Sequence, residues 1–220
     1  MTLKAINQAK EKGASNWLSA IPSQEHGFTL NKSEFRDALA IRYNKSLKGL
    51  PSDCPCGKKF SLDHALNCKR GGFIIIRHNR IRDFEANLLQ QTCNDVETEP
   101  PLQRLEGEQL TGLTGDGARP DIRARGFWRP GQNAYFDVLV TNLNATSQSH
   151  LTPEKIYAKY EGKKKANYNE RIMQVEHGTF TPLIYSINGG TGPTLPQTTC
   201  AENRREDRRK LRTYHNLDPM

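Results

Sequence analysis

The sequence predicts an α/β fold that carries a small zinc knuckle and an N-terminal helical segment. Three observations predict it. Residues 120–187 read strand, strand, helix, strand; three cysteines and a histidine cluster between residues 54 and 68; and apolar residues recur at helical spacing over Lys32–Tyr43. At 220 residues the chain has room for one domain with tails.

The N-terminal element is a short polar helix over Ala5–Gly13, followed by an apolar patch, Trp17–Ile21, that stops at Pro22. Phe35, Leu39 and Tyr43 then line one face of a helix that starts behind Ser33 as cap, with Glu34 beside it. A turn at Leu50-Pro51-Ser52-Asp53 opens the Cys/His segment, and Lys69-Arg70-Gly71-Gly72 closes it. Ile81, Phe84, Leu88 and Leu89 mark a second helix over Asn79–Cys93. Val96–Gly117 reads as strand and loop, with glycines at 107, 112, 115 and 117. Pro120–Ala124 and Ala134–Thr141 form a hairpin through Gly126-Phe127-Trp128-Arg129-Pro130-Gly131. Pro153 opens a helix to about His177, Gly178 ends it, and Phe180–Ile187 is the last strand. The expected segments are an N-terminal helical part (1–50), the knuckle (51–72), an α/β core (73–190) and a basic, disordered tail (191–220).

Only 35% of residues are apolar and the mean hydropathy is -0.76, so the core must come from concentrated runs such as Phe73–Ile76 and Tyr135–Val140. No run of eighteen apolar residues is present and none follows Met1-Thr2-Leu3-Lys4, so an intracellular protein is expected. Five cysteines, an odd number, fit metal ligands better than a disulfide framework; Cys93 is expected as a buried thiol and Cys200 as a tail thiol. The formal charge of +8 favours a polyanionic partner.

Cys54, Cys56, His64 and Cys68 supply four ligands within the span that one tetrahedral zinc closes. A Cys-Pro-Cys-Gly turn brings two thiolates, and a helical turn presents His64 and Cys68 together. All four positions are filled, so such a zinc is structural. The second constellation is acidic. Asp121 follows Arg119-Pro120, and Asp137 sits inside an apolar strand, where its charge needs compensation, for which a metal is one source and an arginine another. Alternation points Asp137 with Tyr135 and Leu139, away from Phe136 and Val138. Two carboxylates on paired strands, with a lysine-rich helix behind them, are the parts needed to hydrolyse a phosphodiester.

The Cys-Cys-His-Cys set, Arg77-His78-Asn79, Arg119-Pro120-Asp121 and Asp137 together resemble, in order and approximate spacing, the restriction-like endonuclease of site-specific non-LTR retrotransposons. That family belongs to the PD-(D/E)xK nuclease superfamily, and the resemblance covers roughly residues 17–190. It implies a restriction-endonuclease-like mixed sheet flanked by helices, a nuclear protein, and a longer polyprotein with a reverse transcriptase domain. It further implies that Asp121 and Asp137 bind Mg²⁺ or Mn²⁺ for DNA hydrolysis, and that the catalytic lysine has moved to the following helix. Leu139 stands where that lysine is otherwise expected, which makes Lys164 the candidate, with Lys165 next.

Arg77, His78, Asn79, Arg80, Arg82, Arg119 and Lys163 are the candidate contacts to DNA, with element RNA as a further partner; the alternative for the arginines is pairing with Asp83 and Glu85. Glu99 offers a further acid. Phe127 and Trp128, between Arg125 and Arg129, read as a basic-aromatic loop able to stack on a base or to pack on its own domain. Two other functions compete with the nuclease: a catalytically dead, zinc-stapled nucleic-acid-binding module from a decayed mobile element, and a zinc-stabilised protein-interaction domain.

Overall fold

The β-branched and aromatic run ending at Thr141 makes an inner strand of a sheet. A computed structural model describes residues 3–24, 29–43, 45–70, 73–103, 119–143, 145–148 and 150–194. Strands β1 (Asn94–Thr98), β2 (Ile122–Arg125), β3 (Asn133–Thr141) and β4 (Thr179–Ser186) lie in the order β1-β2-β3-β4. β1 with β2 and β2 with β3 are antiparallel. β4 is reached through helix α5 (Pro153–Gln174); just past the strand ends, Ile187 N–H donates to Thr141 O at 2.9 Å. The C-terminal ends of β3 and β4 therefore lie together, and the four-stranded sheet is mixed. Helix α4 (Phe73–Gln90) and α5 flank it, giving a mixed α/β architecture.

Pro153 occupies the first position of α5, where its missing N–H costs nothing. At the other end His177, with φ 50°, takes the left-handed conformation that the sequence assigns to Gly178. Gly178 is needed for a different reason: a Cβ there would lie 2.8 Å from Tyr135 Cε2 and 2.9 Å from Asn133 O. The close approach serves the core, where Leu102, Tyr135, Ile172 and Phe180 pack together with Tyr168 against them. Tyr135 thus faces α5, whereas Phe136 turns to the opposite side and meets Phe127 edge-on at 5.0 Å.

Two expectations change. Phe73–Ile76 is the first turn of α4 and not core; Phe73, Ile75 and Ile76 are all exposed. Successive helical residues turn by about 100°, so an apolar run of this kind cannot face one core. Helix α2 (Lys32–Arg42) starts behind Asn31 rather than Ser33. Asn31 Oδ1 accepts from the Ser33 and Glu34 N–H groups at 2.9 and 3.0 Å, and Glu34 returns a bond to Asn31 N–H at 2.8 Å.

The chain forms two compact units that interleave in sequence: 1–77 with 140–156 and 185–193, and 78–139 with 157–184 and 194–220. The first contains helices α1 (Leu3–Lys10), α2 and α3 (Leu62–Asn67). There Arg42 donates to Ala14 O at 3.2 Å and Ser15 Oγ at 2.8 Å, and Thr191 N–H donates to Lys12 O at 2.8 Å. Cys93 is buried, as expected, but its sulfur is in a disulfide. Cys200, the glycines at 107, 112, 115 and 117 and the tail from 195 lie outside the described residues. Among the described residues, no helix is long and apolar enough to cross a membrane.

Candidate functional site

In the first unit, the Cys-Pro-Cys-Gly sequence folds into a tight ribbon turn. Cys54 N–H donates to Lys58 O and Gly57 N–H to Cys54 O, both at 2.8 Å, and Gly57 has a φ of 85° that only glycine adopts freely. Ser61 then caps α3 by accepting from His64 N–H at 3.1 Å, which fixes His64 in the first turn and leaves Cys68 as the residue closing the helix. The four ligand atoms all lie within 4.8 Å of one another. Cys54 Sγ is 3.8 Å from Cys68 Sγ, and Cys56 Sγ is 3.2 Å from His64 Nε2. Metal–sulfur bonds of about 2.3 Å in a tetrahedron put two sulfurs about 3.8 Å apart, the Cys54–Cys68 spacing. The backbone N–H of Lys58, above all, lowers the Cys56 thiol to about 7. This group can hold a metal ion, and its geometry is consistent with zinc. Asp63 Oδ1 accepts from Asn142 Nδ2 at 2.9 Å, which ties α3 to the residue after β3.

In the second unit, the register brings acids together. Ile122 pairs with Phe136, so one step further Asp121 falls opposite Asp137, and Glu99 N–H donates to Asp121 O at 2.8 Å on the β1 side. Like charges directly opposite destabilise a sheet unless something neutralises them. Asp137 is 2% exposed and forms an ion pair with Lys164 from α5. Its Oδ2 is nevertheless buried without a hydrogen bond of good geometry. Burial pushes the Asp137 carboxyl up to about 6, against the pull of Lys164, and the nearby Asp121 charge adds to the rise. Asp121 Oδ2 accepts from Val138 N–H at 2.6 Å and faces His78 Nε2 at 3.2 Å. His78 Nε2 also lies 3.2 Å from Val138 O, and the Asp121 bond raises the His78 pKa.

Tyr168, one turn after Lys164, lines the same cluster. Its ring lies 5.9 Å beneath the Lys164 ammonium, its hydroxyl donates to Arg119 O at 3.2 Å, and burial pushes its phenol up to about 12. The four-residue spacing in the lysine helix was the available signal.

The remaining candidates separate into two groups. Lys163, Lys165 and Arg80 are exposed, and Lys165 is not at the acids. Arg77 instead donates to Leu66 O at 3.2 Å, stacks over Phe73 and has its pKa lowered by burial. Arg82 pairs with Asp83 at 2.8 Å and with Glu99. Asn79 Oδ1 lies 3.3 Å from His78 Nδ1, and Arg119 contributes its carbonyl to Tyr168. No protein-family model matches the chain, and no curated protein matches its sequence.

Proposed function

We propose that the chain is a restriction-like, metal-dependent DNA endonuclease that nicks target DNA by hydrolysing a phosphodiester bond. The observation carrying this reading is the meeting of Asp121 and Asp137 on adjacent strands with Lys164 from the following helix. The donor set fits a divalent ion. Asp137 Oδ2 is buried with Lys164 as its ion-pair partner, which a divalent ion would replace, and the contacts of Asp121 fall on Oδ2, leaving Oδ1 for a ligand. Asp121 and Asp137 would hold Mg²⁺ or Mn²⁺, which supplies an activated water and a charge-neutralised phosphate when bound.

The rest falls to the protein. His78 and the Val138 N–H fix the rotamer of Asp121. Lys164, on leaving Asp137, stabilises the charge that develops on the phosphate oxygens as the P–O bond breaks. Tyr168 holds the Lys164 stem beside the acids. Exposed Lys163, Lys165 and Arg80 take the flanking phosphates, while Arg77 and Arg82 brace the fold. At the knuckle, Cys54, Cys56, His64 and Cys68 bind a structural zinc with no open position. The natural setting on this reading is nuclear, as part of a retrotransposon polyprotein with a reverse transcriptase.

One observation favours a second reading, a dead nucleic-acid-binding module: Lys164 and His78 face the two acids, so the cluster is charge-balanced without a metal. Supercoiled plasmid separates the two. The nuclease converts it to open circles under Mg²⁺ or Mn²⁺ and stops in chelator. A protein that retards the plasmid yet leaves it supercoiled is the binding module.

A further inference from the structure

We propose that Trp128 is a stacking platform for an unpaired nucleobase, an inference that rests on the nucleic-acid reading above but not on hydrolysis. The hairpin between β2 and β3 carries two adjacent aromatics with opposite fates. Phe127 is 5% exposed, whereas Trp128 is 39% exposed. They form a column: Trp128 meets Phe127 edge-on at 4.7 Å, and Phe127 meets Phe136 edge-on at 5.0 Å. Phe136 is the neighbour of Asp137 in β3. Phe136 points away from Asp137, so the exposed indole is held in orientation by a stack rooted on the sheet face opposite the acids, and it presents an aromatic face at little cost in conformational entropy.

The surrounding charges suit a nucleotide better than an apolar protein groove. Arg125 braces the loop, donating to Gly131 O at 3.2 Å and pairing with Asp95 at 3.4 Å. Arg129 is exposed next to the indole and is placed to meet a backbone phosphate. A cation beside a single exposed aromatic, with Gly126, Pro130, Gly131 and Gln132 around them, gives a base a ring to stack on and its phosphate a charge.

The chain has two tryptophans, so Trp17→Phe leaves Trp128 as the sole indole reporter. This variant is titrated in chelator with a flush duplex, the same duplex carrying a short gap, and single strands of DNA and of RNA. Trp128 emission should fall strongly with the gapped duplex and a single strand, and little with the flush duplex; the more strongly quenching single strand shows whether the base comes from DNA or RNA. Trp128→Leu keeps an apolar cover on Phe127 and should lose about tenfold in affinity for the gapped duplex alone, with Trp128→Phe retaining most of it. Equal quenching by flush and gapped duplex, or equal loss on both with Trp128→Leu, overturns the proposal. Binding with silent Trp128 emission defeats this inference alone, whereas no binding to any of these probes defeats the nucleic-acid reading with it.

Discussion

The knuckle and the acidic cluster both gather ligands, but by opposite means. Between Cys54 and Cys68 the chain doubles back through one turn and one short helix, and the group contains three thiols and an imidazole with no cation among its ligands. The acidic cluster draws on α4, the start of β2, β3 and α5, and brings Lys164 and His78 to its own carboxylates. The difference teaches where each region gets its stability. The knuckle's ligand group has no cation of its own and would need a metal to hold its thiolates together, whereas the acidic cluster is held by the sheet and neutralised by side chains.

The largest effect should follow from breaking the knuckle. Cys56→Ser should remove the stoichiometric zinc from purified protein, with loss of amide protection confined to the knuckle and its neighbours. Strands β2 and β3 should keep their slow exchange. Zinc retained in Cys56→Ser, read by elemental analysis, would separate the metal from these four ligands.

The same contrast explains what the sequence could reveal. Knuckle ligands are close in sequence, so spacing alone announces them. Asp137 was legible because a carboxylate inside Tyr135–Val140 demands a partner, and Lys164 was singled out because the family resemblance implies a lysine on the helix that follows. The lysine at the acids could be told from exposed Lys165 only once α5 was docked on the Tyr135 face of β3. The pairing of Arg82 with Asp83 was legible within one helix, but the Leu66 O partner of Arg77 and the Glu99 partner of Arg82 come from other elements and were not. Phe73–Ile76 misled for a related reason: composition marks apolar residues, but the helical turn of α4 scatters them to solvent.

A smaller effect sharpens the second region. Lys164→Ala should lower the nicking rate by about 10²- to 10³-fold, whereas Lys165→Ala should stay within about twofold of the parent. Lys164→Ala also strands the buried Asp137, so its denaturant midpoint should fall. Equal losses in the two variants would return the lysines to a general basic surface.

The smallest effect concerns Tyr135, whose hydroxyl donates to Glu176 at 3.2 Å and whose phenol burial pushes up to about 12. The folded protein then holds this proton more tightly than the unfolded chain does. Stability from it is complete below about pH 10 and is lost as pH rises toward 12. Tyr135→Phe should flatten that alkaline decline in thermal melts, and an unchanged slope would remove the assignment.

Asp137→Ala tests the central claim most directly, because it removes the proposed metal ligand without touching the exposed basic residues. Nicking of supercoiled plasmid and affinity for the same DNA are measured side by side under Mg²⁺. The account expects the rate to fall by about 10³-fold or more while affinity stays within about threefold. A variant that nicks as fast as the parent would contradict it.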